Sequence, residues 1–137
     1  MSVEKVLKVA ADTEKLYEVQ GFVDAELEAH DCPMKTQMLI DVSLEELFVN
    51  IAHYAYPEGN GWAEIRVGVT DGVASITLID GGIPYDPLKK PDPDITLAAE
   101  DRQIGGLGIY MVKKKMDEMT YEHRDGKNVL TIRKKLC

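Results

Sequence analysis

The sequence predicts a two-layer α+β sandwich, with helices packed on one face of a mixed, mostly antiparallel sheet. Three observations lead there. Apolar residues recur at helical spacing from Thr13 to about His30, and again from about Lys35 to Tyr56. Two alternating runs, 63–70 and 73–79, flank Asp71-Gly72, a hairpin signal of the primed-turn type. A second Asp-Gly pair, Asp125-Gly126, separates residues 120–124 from 129–134 and predicts a closing hairpin.

In chain order, Val6, Leu7 and Val9 make a short edge strand within 3–10. Thr13 is the expected N-cap of a first helix carrying Leu16, Val19, Phe22, Val23 and Leu27, and Asp31-Cys32-Pro33 breaks it. The second helix places Leu39, Leu44, Leu47, Phe48, Ile51 and Ala55 in a wide apolar stripe, and Pro57 to Gly61 ends it. Residues 85–103 mix prolines and charges without periodicity, so they predict a long loop, which in a small domain is functional or disordered. Helical spacing returns over 109–119. Phe48 and Trp62 are expected in the core.

At 137 residues the chain is expected to form one domain, 1–137, with a core of its own. No apolar stretch approaches the roughly 20 residues of a membrane span. The start, Met-Ser-Val-Glu-Lys-Val, lacks the basic and apolar regions of a secretory signal, so a cytoplasmic location and no membrane partner are expected. Cys32 and Cys137 have no metal-ligand spacing and suit free thiols in a reducing compartment. A net charge of −8 disfavours nucleic acid, whose binding is driven by phosphate neutralisation. The run Lys113-Lys114-Lys115 fits a solvated helix face.

Three short segments carry the chemistry. Glu46 and Asn50, four residues apart, share one helical face, where a carboxylate and a carboxamide can address a metal ion and a water or hydroxyl together. Asn50 also interrupts the apolar stripe, and Asn is a poor mid-helix residue. Asp80 ends an apolar strand as an acid that can accept from an exocyclic amine, and Gly81 and Gly82 let a ring approach the backbone. A plain turn is the alternative for that segment alone. Gly105-Gly106-Leu107-Gly108 opens a helix, where unhindered N–H groups and the dipole favour an anion such as phosphate. The third glycine of a dinucleotide fingerprint and the Gly-Lys-Ser/Thr of a phosphate loop are both absent, which excludes those two nucleotide folds.

With these segments in order, the chain resembles the Bergerat-fold ATP-binding domain of gyrase, the Hsp90 chaperones, sensor histidine kinases and MutL, and most of all the stand-alone anti-sigma factor serine/threonine kinases of bacterial partner switching. The resemblance rests on Glu46 to Tyr56, Asp80 to Pro87, and Gly105 to Val112 continuing into Met116-Asp117-Glu118. It implies Asn50 as the magnesium ligand, Glu46 as the general base and Asp80 as the acceptor for the adenine amino group. It further implies Gly82 and Pro84 beside the base, Gly105, Gly106, Leu107 and Gly108 at the phosphates, and Thr131 as a hydroxyl supporting the adenine site. Residues 85–103 correspond to an ATP lid. Two departures stand out: the family's His-Ala-Tyr reads Tyr54-Ala55-Tyr56 here, with His53 one place earlier, and Pro84 replaces a glycine.

The resemblance thus implies ATP, ADP and Mg2+ as ligands, a sigma factor and an anti-anti-sigma protein as partners, and leaves room for a homodimer. The expected function is a serine/threonine protein kinase acting as an anti-sigma regulatory factor. The alternative is a nucleotide-sensing module that binds a partner with little or no phosphoryl transfer. The length leaves no room for a phospho-accepting helical segment or a transducer domain, which disfavours the sensor-kinase and gyrase readings.

Overall fold

The computed structural model describes residues 4–89 and 106–137. The edge strand β1 (Lys5–Ala10) passes through a 3-10 turn, Thr13–Lys15, into helix α1 (Leu16–Ala29). The entry is capped by Asp12 rather than the expected Thr13: the extended Asp12 backbone brings its carboxylate to the Glu14 N–H, which donates at 2.9 Å. Asp31, at φ 56°, turns the chain, and Pro33 precedes α2 (Met34–Asn50). Residues 35–56 do not form one α-helix. The hydrogen-bond ladder widens after Asn50 into a π turn, Ile51–Ala55, an irregularity that clusters at functional sites.

Strands β2 (Trp62–Thr70) and β3 (Val73–Asp80) follow, then α3 (Gly106–Lys115), β4 (Glu118–Arg124) and β5 (Lys127–Lys135). The predicted helix 109–119 therefore starts earlier and stops earlier. Its last positions are drawn into the sheet, where the Asp117 N–H donates to the Arg133 carbonyl at 2.9 Å and Glu118 pairs with Arg133. Among the described residues five strands form one sheet in the order β1-β2-β3-β5-β4, and every neighbouring pair is antiparallel. Both Asp-Gly pairs lie left-handed at their two central residues, with φ 53° and 76° at Asp71-Gly72 and 54° and 76° at Asp125-Gly126. That is the backbone a two-residue hairpin needs to match strand twist.

Among the described residues, helices cover one face only. Ala63, Ile65, Val67 and Val69 on β2, with Ala74, Ile76 and Leu78 on β3, pack against Val19, Val23 and Leu27 of α1 and Ile40, Leu44, Leu47 and Phe48 of α2. Phe48 is fully buried, as expected. Trp62 is not a core residue: it is out of phase with Ala63 and Ile65, and so stands half-exposed on the uncovered face beneath the Lys8 ammonium, 4.6 Å from its ring centroid. Its amphipathic ring suits that half-wet position.

A carboxyl pair interrupts the packing between α1 and α2. Burial, a hydrogen bond to Asp24 and the charges of Asp24 and Glu28 push the Asp41 carboxyl up to about 7. An unfolded aspartate titrates near 4, so the folded chain holds this proton more tightly. The resulting stabilisation is complete below about pH 4 and is lost as pH rises through about 7. Asp41→Asn is therefore expected to leave the thermal midpoint unchanged at pH 4 and to raise it by a few degrees at pH 8. Paired melts at the two pH values check this; an equal shift at both would mean that the proton is not retained by the fold.

Candidate functional site

Alternation along β3 turns Leu78 and Asp80 toward the helices, so the strand delivers a carboxylate to the end of the core. Asp80 is only 5% exposed, and a buried acid is tolerable only when hydrogen-bonded. Two donors meet its Oδ1, the Gly82 N–H and the Asn128 Nδ2, each at 2.9 Å. Oδ2 has no partner among the described residues, which leaves it as an acceptor for a bound group. Asp80 lies at a cleft whose walls are mainly apolar, among them Ile51, Ala55, Leu78, Ile109 and Leu130, with Asn50, Asn128, Tyr54, Tyr85 and Tyr121 as its other polar members.

The turn after Asp80 is pressed against the π turn. The Ile83 N–H donates to the Ala55 carbonyl at 2.9 Å, and a Cβ on Gly82 would stand 2.6 Å from the Ala55 carbonyl carbon. Only glycine admits this approach. Tyr56 braces the same turn, accepting from the Gly81 N–H at 2.7 Å and donating to the Trp62 carbonyl at 2.6 Å. Pro84 follows on the exposed rim. Tyr54 lines the cleft, whereas His53 lies outside it, edge-on to the Tyr54 ring at 5.9 Å.

The hydroxyl expected beside Asp80 is elsewhere. Thr131 pairs with Thr77, Oγ1 to Oγ1 at 3.0 Å, on the uncovered face of the sheet. The residue opposite Asp80 in register is Asn128, 6% exposed. Since 128 and 131 differ by an odd number, a strand cannot turn both to one face. The phase of Asn128, Leu130 and Ile132 along β5 is the sequence signal that marks Asn128 as inward-facing. Tyr121 also belongs here, its hydroxyl donating to Asn128 Oδ1. Burial pushes the Tyr121 phenol up, so it remains a donor at neutral pH.

Glu46 and Asn50 share a face of α2 but occupy adjoining spaces. Asn50 enters the cleft from the last position of the helix, its carboxamide free of hydrogen bonds to the described residues. Glu46 lies one turn earlier in a groove with Ser43, Gly108, Met111 and Lys115. Its carboxylate fills the space a side chain on Gly108 would need, with the Glu46 Cδ 2.8 Å from where that Cβ would stand. Gly108 thus brings the first turn of α3, which Gly106 and Leu107 open, directly against the acid. Gly105 and positions 90–103 of the expected lid lie outside the described residues. Of the lid's start, Pro87–Lys89 form a 3-10 turn in which Asp86 Oδ1 accepts from the Leu88 N–H at 2.9 Å.

Among the described residues no three His, Cys, Asp or Glu side chains gather as a metal cluster. One carboxamide and one carboxylate are too few for a closed zinc site. The Asn50 carboxamide oxygen is a ligand of the kind magnesium takes beside its waters and phosphate oxygens. No described helix is long and apolar enough to cross a membrane.

Residues 9–134 match the family described as the histidine kinase-like ATPase domain. The chain is 27% identical over 99 residues to the serine/threonine-protein kinase BtrW of Bordetella bronchiseptica, a match spanning 72% of this chain and 70% of that protein. It is 30% identical over 93 residues to the serine-protein kinase RsbW of Bacillus thuringiensis, spanning 65% of this chain and 58% of that protein. In structure it resembles the RsbU and RsbW domains of a Mycobacterium tuberculosis protein, with a TM-score of 0.64 and 16% identity over 96% of this chain and 32% of that one. That last likeness bears on the fold, an α+β sandwich of this type.

The two close glycine approaches differ in what they would meet. Gly82→Ala drives a methyl into the Ala55 backbone, which cannot swing aside, and is expected to cost roughly 1–3 kcal/mol. Gly108→Ala meets only the flexible end of Glu46 and should cost well under half as much. Urea midpoints of the two variants check this, and equal losses would contradict the backbone contact.

Proposed function

Because the chain belongs to the histidine kinase-like ATPase domain family, we propose that it binds ATP and ADP with Mg2+ and transfers the γ-phosphate of ATP to a serine or threonine of a regulatory protein. On this reading residues 1–137 work as one cytoplasmic domain in a partner switch, opposing a sigma factor and answering to an anti-anti-sigma protein. The observation that carries the nucleotide half is Asp80, a buried acid at the end of an apolar cleft with one oxygen unpartnered among the described residues. The kinase half is supported by Glu46 and Asn50 on successive turns of α2 and by the names of the relatives BtrW and RsbW.

The division of labour follows from position. Asp80 accepts from the adenine amine, and Gly82 and Pro84 shape the turn against the base. Gly105, Gly106, Leu107 and Gly108 present main-chain donors to the phosphates at the start of α3. Asn50 holds magnesium, which when bound offsets charge on the phosphates. Glu46 accepts the proton of the attacking hydroxyl as the new phosphate ester forms and ADP leaves. Without that transfer, the same cleft would serve a nucleotide-sensing module that only binds its partner.

Asp80→Asn is expected to weaken ATP and ADP by about 1.5–3 kcal/mol, the usual worth of a hydrogen bond to a charged group. Calorimetry reads this directly, and unchanged affinity would remove Asp80 from the base site. Glu46→Gln is expected to keep nucleotide affinity while slowing transfer to a serine-bearing partner by roughly 10²–10⁴, the range for a positioned base. Asn50→Ala should lower both. Labelled γ-phosphate transfer measures the rates. Wild-type protein that binds ATP but phosphorylates no candidate partner would favour the sensing module.

A further inference from the structure

Asn128 has four hydrogen-bonding positions on its side chain, two donor and two acceptor, and protein groups occupy them all. Its Nδ2 donates to Asp80 Oδ1 at 2.9 Å and to the Ile83 carbonyl at 2.8 Å. Its Oδ1 accepts from the Tyr121 hydroxyl and from the Tyr85 N–H, the latter at 3.3 Å. The side chain is 6% exposed, so each of these bonds is expensive to lose. Tyr121 stands opposite Leu130 in register, and so reaches Asn128 along the diagonal of the same face.

Two consequences follow from this saturation. Asn128 has no donor left for a ligand, although it lines the cleft. It also fixes one oxygen of Asp80 to β5 while fixing Ile83 and Tyr85, on the far side of the turn, to the same amide. The carboxylate is thereby held from two sides, by Gly82 within its own turn and by Asn128 across the sheet. Its second oxygen alone is left to discriminate between bases.

We propose that Asn128, supported by Tyr121, is a positioning residue that sets the direction of the Asp80 carboxylate and so confines base recognition to one amine-accepting oxygen. The proposal rests on the nucleotide reading above, and it concerns selectivity for the base rather than affinity for the phosphates. A group that merely kept the domain folded would weaken every nucleotide alike. A positioning group weakens only nucleotides whose base carries the amine.

The test compares ATP with purine riboside triphosphate, which lacks the 6-amino group, on the wild-type chain, Asn128→Leu and Tyr121→Phe. Wild type is expected to prefer ATP by roughly 10–100-fold, the worth of a hydrogen bond to a charged acceptor. In Asn128→Leu, which has nearly the same shape, that ratio is expected to fall about tenfold while affinity for purine riboside triphosphate stays within about threefold, since the phosphate contacts are untouched. Tyr121→Phe keeps the amide and loses one of its anchors, so the ratio should fall by about two- to fivefold; this variant carries the test should Asn128→Leu fail to fold. An unchanged ratio in folded variants, or an equal loss for both nucleotides, overturns the proposal. Wild-type protein that binds neither nucleotide overturns the nucleotide reading itself, a result distinct from either of these.

Discussion

A carboxylate that must be buried governs this architecture. Asp80 ends the inner strand β3 at 5% exposure, and among the described residues it is neutral donors, from its own turn and from β5, that hold it. Each feature near it answers that demand. Gly82 lets its N–H turn back to Oδ1, the π turn offers Ala55 as a docking point for Ile83, and Tyr56 pins Gly81. An apolar residue at position 80 would let β3 run into an ordinary closed core. The acid keeps that end open.

Alternation along β2 and β3 buries one face of the sheet, and among the described residues helices cover that face alone. At its end the buried layer turns polar, and Gly82 and Asn128 satisfy the acid there. The uncovered face bears the residues that tolerate half-exposure, among them Trp62 with its lysine, Arg66 with Glu64, and the Thr77–Thr131 pair. On that face side chains answer to one another, across strands at Lys8–Trp62 and Thr77–Thr131 and along β2 at Arg66–Glu64; on the other they answer to Asp80 and the core.

Much of the fold was legible in the residues because short-range rules set it. Asp71-Gly72 and Asp125-Gly126 specify their turns by backbone geometry alone, and the alternation of β2 and β3 needs only one buried face. The cap at Asp12 and the early end of α3 were less legible, because several neighbouring polar residues could serve the first and sheet pairing decided the second. Asp80, Gly82 and Asn50 announce themselves by standing where an apolar residue or a Cβ would be expected. Asn128 does not. After Asp125-Gly126-Lys127 an asparagine looks like more turn, and its importance lies in a register between β3 and β5 that no tight turn fixes. Thr131, a good strand residue in a plausible place, failed on phase alone. The π turn was illegible for another reason: an apolar stripe survives one wide turn almost unchanged.

The register that joins Asp80 to Asn128 also has a meaning in time. The two residues are 48 positions apart, while β2 and β3 are joined by a two-residue turn and can zip as soon as both exist. Closing so long a loop pays its entropy before any contact rewards it, so such pairings form late in folding. A nascent chain that has completed β3 therefore carries a bare acid at a strand end. The cleft is complete only when β5 has been synthesised and docked, because Asn128 and Leu130 close it from that strand.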